Sequence, residues 1–124
     1  MRKENILIVV LVGIAIVAGG VFLNKDQPDI QAPHKIEWTN FSKGFALAKE
    51  QNKNIFLYFH ADWCTFCKKM DETTFRENDV VQFLNSNFIS ITVDTDVEKM
   101  IANSYGVKGL PTIWFLKPDG TKNS

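Results

Sequence analysis

Cys64 and Cys67 are the only cysteines in a chain of 124 residues, and two residues separate them in His60-Ala61-Asp62-Trp63-Cys64-Thr65-Phe66-Cys67-Lys68. At this spacing, in the first turn of a helix, two sulfurs come within disulfide reach. The first cysteine then also meets the unpaired N–H groups and the positive end of the helix, which stabilise a thiolate. Lowering a thiol pKa from about 8.5 to about 7 raises its thiolate fraction at neutral pH roughly 16-fold. Nucleophilicity falls roughly 5-fold over the same shift, so attack gains only roughly 3-fold. The larger benefit is that such a thiol leaves a mixed disulfide easily. The expected division of labour is Cys64 exposed and attacking, with Cys67 deeper, one turn on, resolving.

Other readings of the pair stand beside this one. A staple across two residues restricts the unfolded chain little. A closed zinc site needs four ligands, and only His34 and His60 remain to add to the cysteines. A transient soft-metal site stays open. Among the neighbours, His60 reads as structural rather than catalytic. Trp63 either shields the sulfurs and shapes a docking surface or simply packs. Asp94, Asp96 and Glu98 lack the ligand count and glycine of a calcium loop, and helix capping is the expected use of these acids.

The elements that must position these residues follow from periodicity. Phe41, Phe45, Leu47 and Ala48 recur at helical spacing over residues 41–52, with Asn40 or Thr39 as cap. Residues 55–59 form a short apolar-aromatic run, the pattern of a strand buried on both faces. A helix is predicted from Cys64 through Phe75 and a short one after Asp79. A strand over residues 88–93 and a helix over residues 96–105, closed by Gly106, come next. Residues 112–116 are rich in strand formers, and Pro118-Asp119-Gly120 is a turn. Strands alternating with helices predict an α/β fold around a central, buried sheet.

Ahead of this domain, residues 6–23 carry no charged or strongly polar side chain. As a helix they would span about 27 Å, close to the roughly 30 Å of a bilayer's hydrocarbon core. Arg2 and Lys3 precede the run, so residues 1–5 are expected to be a cytoplasmic head and the remainder to lie outside. The rival is a cleaved signal peptide at Ala18-Gly19-Gly20, but Val21, Phe22 and Leu23 continue past that point and favour an uncut anchor. Residues 24–35, with Pro28 and Pro33, read as an extended tether to the domain at residues 36–124. Lys and Arg total 14, as do Asp and Glu, without a basic block. Nucleic acid, which clustered cations would recognise, is not an expected partner.

The Trp63-Cys64-Thr65-Phe66-Cys67-Lys68 stretch after an apolar strand, with Gly109-Leu110-Pro111-Thr112 far downstream, is similar to the thioredoxin family. The longer match through Ala61, Asp62, Thr74 and Phe75 most resembles the C-terminal thioredoxin domain of membrane thiol reductases of the disulfide-bond D type. The resemblance covers residues 36–120. It implies a thioredoxin-like fold with a central mixed sheet flanked by helices, and protein-disulfide oxidoreductase activity without a cofactor or metal. It also implies a cis bond before Pro111, which would face the cysteines. Leu110, Thr65 and Phe66 would meet substrate. The implied partners are exported proteins with disulfides and a membrane electron donor, at the bacterial cytoplasmic membrane with the domain in the periplasm or outside the cell. Oxidase or isomerase activity, or a non-turnover binding or metal-chaperone role, are the alternatives, and the Thr65-Phe66 dipeptide does not decide the redox direction.

Two departures matter. Many thioredoxins carry a buried Asp six residues before the first cysteine, where this chain has Tyr58, a poor base at neutral pH. Asp71, one helical turn after Cys67, is the substitute candidate for proton acceptor; an exposed acid paired with Lys68 is the bland alternative. The sequence also stops four residues after Gly120, without room for the family's final strand and closing helix. The outer edge of the 112–116 strand is therefore expected to be largely unpaired and part of the sheet face open. Such a domain would be marginal alone, completed by a partner, or a shortened version of a longer chain. For the N-terminal segment, a reporter active only after export and fused after Asp26 should be active; silence there, with a cytoplasmic reporter active at the same point, would overturn the expected topology.

Overall fold

Asn54–His60 is the most buried strand of the molecule, with all five residues between its ends inaccessible to solvent or nearly so. The structure, a computed structural model, describes residues 35–123. In chain order the elements are β1 (Trp38–Thr39), α1 (Phe41–Gln51), β2 (Asn54–His60), α2 (Thr65–Glu72), a 3-10 turn (Thr74–Arg76), α3 (Asn78–Asn87), β3 (Phe88–Asp94), α4 (Lys99–Ser104) and β4 (Thr112–Leu116). The four strands form one sheet in the order β1-β3-β2-β4. β1 and β2 run parallel to β3, and β4 runs antiparallel to β2. This is the mixed central sheet of a thioredoxin-like α/β fold. The proposed membrane segment at residues 6–23 lies outside the described residues. Among the described residues no helix is long and apolar enough to cross a membrane.

Strand alternation gives each sheet face its own core. Phe56 and Tyr58 point to the face that also holds Ile36, Phe75, Val81, Leu84 and both cysteines. Ile55, Leu57 and Phe59 point to the other, with Ala48, Ile91, Val93, Ala102 and Leu116. Helix α1 starts where Asn40 Oδ1 accepts the Lys43 N–H at 2.9 Å, and it ends at Asn52 in the left-handed region.

Two predicted elements differ in detail, and one strand is not predicted. The helix expected to run from Cys64 through Phe75 stops at Glu72. The Thr73 hydroxyl donates to the Lys69 carbonyl at 2.6 Å, and its backbone leaves helical geometry (φ −118°, ψ −86°). The 3-10 turn that follows carries Phe75 into the core. The helix expected at residues 96–105 begins only at Lys99. The preceding residues are tied into a turn by the Asp96 N–H to Asp94 Oδ1 (2.9 Å) and the Glu98 N–H to the Asp94 carbonyl (2.7 Å). Strand β1 is two residues long, too short for a period-2 pattern to reveal.

At the outer edge of β4 the chain does fold back. Gly120 adopts φ +85° in the predicted turn, and Asp119 Oδ1 accepts from both the N–H and the hydroxyl of Thr121. Lys122 then bridges Leu116 antiparallel, and the Asn123 N–H reaches the Phe115 carbonyl at 3.1 Å. The edge is thus paired at one end by a stub of chain. On the cysteine-bearing face Phe115 remains 46% exposed, although its ring packs on Phe56 and Phe88.

Helix α1 approaches the sheet closely at Gly44, where an added Cβ would collide with the Ile91 side chain and with Thr39 Cγ2. Ile91 is fully buried and has nowhere to move. Gly44→Ala should therefore destabilise the domain by about 1–3 kcal/mol, despite the helix-propensity gain of about 1 kcal/mol. A urea midpoint that is unchanged or raised would show that the contact is looser than this.

Candidate active site

β2 ends at His60, and a turn closed by the Cys64 N–H to the Ala61 carbonyl (3.1 Å) redirects the chain into α2. Cys64 is the N-cap of that helix, with extended backbone (φ −79°, ψ 102°), so its side chain reaches forward over the first turn. There Cys64 Sγ accepts the Cys67 N–H at 3.1 Å. A sulfur thus takes the place that a Ser or Asp oxygen usually fills at a helix start. The two cysteines are disulfide-bonded, with their Cα atoms 5.2 Å apart. When the bond is reduced, the same N–H donor favours the ionised form of Cys64, because hydrogen bonding to a charged form stabilises it.

Cys67 is buried as expected, at 1% exposed, but in the disulfide state Cys64 is buried too, at 3%, not exposed as expected. The cap position lies where α2 packs on the sheet, and both sulfurs join the cluster formed by Phe56, Tyr58 and Phe75. The exposed groups flank them instead. Thr65 is open to solvent, Trp63 is 66% exposed and Phe66 72%.

Trp63 is nonetheless held. Its indole N–H donates to Asp96 Oδ2 at 3.0 Å, and Asp96 is itself fixed by the turn before α4. The acids at 94, 96 and 98 therefore do not cap the helix as expected. Glu98, the N-cap, makes no side-chain cap bond, and its carboxylate accepts the Asp94 N–H instead. Periodicity could not have paired Trp63 with Asp96, because the contact depends on how two loops emerge from neighbouring strands.

The third loop brings Leu110 and Pro111. Their peptide bond is cis. Leu110 packs against both cores, including the one that contains the cysteines, and it shares a pocket of about 270 Å³ with Trp63. The Thr112 hydroxyl, donating to the Gly109 carbonyl at 2.6 Å, ties the loop to the start of β4.

Behind the cysteines, Tyr58 is buried and its hydroxyl donates to the Cys67 carbonyl at 3.4 Å. Burial pushes this phenol well above its ordinary pKa, and the nearby negative charge of Asp71 pushes the same way. Tyr58 is therefore a neutral donor at every physiological pH. Asp71 is exposed on α2 and lines, with Tyr58, His60, Phe75 and Arg76, a cavity of about 720 Å³. His60 stacks on Tyr58, with centroids 5.5 Å apart, and its carbonyl accepts from the Thr95 N–H and hydroxyl, a structural use of that residue.

Comparison with known proteins agrees with this geometry. The family model of the thioredoxin-like domain matches residues 41–123. The thiol:disulfide interchange protein DsbD of Salmonella typhi is 32% identical over 100 residues, covering 75% of this chain but 18% of that protein. The chain thus spans less than a fifth of that relative's length. Among solved structures, a thioredoxin from Thermus thermophilus superposes with a TM-score of 0.61 at 26% identity, covering 65% of this chain and 64% of the other. The DsbH oxidoreductase gives 0.67 at 21% identity, covering 82% and 78%, a likeness of fold.

The Tyr58 environment has a measurable consequence. The folded phenol holds its proton more tightly than an unfolded one, whose pKa is about 10. Its contribution to stability is therefore complete below that value and is lost as pH rises toward the folded one. Urea stability should fall more steeply above about pH 9 in the wild type than in Tyr58→Phe, with Asp71→Asn between them. Half-buried Tyr105 is shifted the same way and is common to all three proteins. Equal slopes would show that Tyr58 does not feel the surroundings described.

Proposed function

The chain belongs to the thioredoxin-like domain family, and from that membership we propose that it is a thiol–disulfide oxidoreductase acting on exported proteins, working as a reductase. The observation that carries this is the Cys64–Cys67 disulfide at the start of α2, beside the Leu110–Pro111 cis peptide and flanked by exposed Trp63 and Phe66. The likeness to the thiol:disulfide interchange protein DsbD supports exchange chemistry, the resemblance of the cysteine segment to membrane thiol reductases supports the direction, and the apolar run at residues 6–23 supports a membrane anchor with the domain outside the cytoplasm.

In this reading the reduced protein attacks. The Cys64 thiolate, capped by the Cys67 N–H, displaces one sulfur of a client disulfide, and the departing client thiolate takes up a proton. Trp63, Thr65, Phe66 and Leu110 form the surface on which the client lies, and the backbone before Pro111 pairs with the client segment. Cys67 then loses its proton and attacks Cys64 Sγ. The mixed disulfide breaks, the client leaves with two thiols, and the protein is left with the Cys64–Cys67 disulfide. Asp71, one turn beyond Cys67 on α2, is the proposed acceptor of the Cys67 proton, since Tyr58 in its neutral state cannot serve. A membrane partner's dithiol returns two electrons and two protons. No cofactor takes part.

Trapping tests these roles. Cys67→Ser should accumulate mixed disulfides with client proteins through Cys64, and Cys64→Ser should lose nearly all of them. Equal trapping by both would overturn the assignment. A reduction potential near about −270 mV favours the reductase direction, and one near about −120 mV would make the protein an oxidase. In the same turnover assay Asp71→Asn should shift the pH–rate profile while leaving the fold intact; an unchanged profile returns Asp71 to a solvated surface role.

A further inference from the structure

The pocket between Trp63 and the Leu110 loop has a composition that disulfide exchange itself does not require. Trp63, Ala102, Val107 and Leu110 give it apolar walls, and two cationic residues, Lys99 and Lys108, both exposed, line it as well. Among the described residues no acidic side chain lines it. Asp96 lies outside this lining and keeps its charge; its Oδ2 accepts the Trp63 indole N–H at 3.0 Å, which fixes that wall in place. At about 270 Å³ the pocket lies below the roughly 300–1,000 Å³ of small-molecule sites. It suits a single side chain rather than a whole ligand.

We propose that this pocket receives a carboxylate side chain of the client polypeptide, close to the cysteine that Cys64 attacks. Lys99 and Lys108 are then specificity-determining residues. The inference rests on the thiol-exchange reading above and names the substrate class: disulfides flanked by Asp or Glu. An acidic side chain lays its methylene stem on Trp63 and Leu110 and its charge between the lysines. A neutral side chain gains only the first contact, and a basic one is repelled. The cations are exposed, so the effect falls mainly on association and weakens with salt. Two exposed ion pairs of ordinary strength amount to roughly a 2- to 30-fold preference.

The test uses the full chain in neutral detergent, reduced beforehand with a small dithiol and desalted. It is mixed in single turnover with one of two synthetic disulfide peptides that differ only in Glu or Gln on either side of one cysteine. In each reaction the protein dithiol passes two electrons and two protons to the peptide disulfide and ends oxidised. The second-order rate constant should favour the Glu peptide within that range at low salt, with a smaller preference at about 0.5 M salt. In Lys99→Gln/Lys108→Gln the preference should vanish. Lys49→Gln, an exposed lysine on α1, should keep it. Equal rates for both peptides, or a preference that survives in the double variant, would overturn the inference alone. Absence of reaction with either peptide would remove the thiol-exchange reading and this inference with it.

Discussion

The burial of β2 is the constraint on which the active site depends. Its backbone is paired along both edges, and its side chains are covered on both faces. Each large apolar side chain buried in this way contributes about 1.5–3 kcal/mol, so neither the register nor the end point of the strand is free to move. A slip of one residue would exchange the two faces and drive Ile55, Leu57 and Phe59 into positions shaped for Phe56 and Tyr58. With β2 fixed, three loops converge by register. His60 lies opposite Asp94 in the parallel pair, so the turn carrying Asp96 emerges beside the turn carrying Trp63. Phe59 lies opposite Thr112 in the antiparallel pair, which brings Leu110 and Pro111 to the same end of the sheet.

The chemistry at that end is organised around a neutral interior. A carboxylate beneath the cysteines would be costly to desolvate and would need a partner. A phenol occupies that place instead and spends its proton on the Cys67 carbonyl. Charge is displaced outward, to Asp71 at the edge of a solvent-filled cavity and to the amide that caps Cys64. Thiolate stabilisation is thereby left to the helix start, whose donors are part of the backbone and cost nothing to hold in position. Tyr58 can stay in the core because the acid beside it is not buried.

Much of this could be read in the sequence. The uniform apolarity of residues 55–59, the alternation over residues 88–93 and the cysteine spacing located the central strands and the redox pair, and the Gly109–Thr112 match pointed to the cis bond. What could not be read were features set by competition or by distance. Thr73 ends a helix whose pattern continues, because its hydroxyl offers the backbone a rival partner. The acids at 94, 96 and 98 resemble a helix start, yet the aspartates serve a turn and an indole thirty residues upstream. The burial of Cys64 depends on how α2 settles on the sheet, which no local pattern records. Lys99 and Lys108 line a pocket that exists only once α4 and the Leu110 loop are in place.

The strand order also bears on how the molecule comes into being. Both strands that pair with β2, β3 and β4, follow it in the chain, and the farther partnership joins residue 55 to residue 116. Non-local pairings of this kind slow folding, since loop closure must precede the contacts that reward it. A nascent chain therefore carries the run from Asn54 to His60 without its β3 partner until residue 94 has emerged, and with its other edge open until β4 follows. The middle of the run, Ile55 to Phe59, is an apolar-aromatic, proline-free segment of the sort that readily self-associates. The strand that fixes the active site once folded is thus a segment open to aggregation before then, and a chaperone that shields it during synthesis would protect the site before it exists.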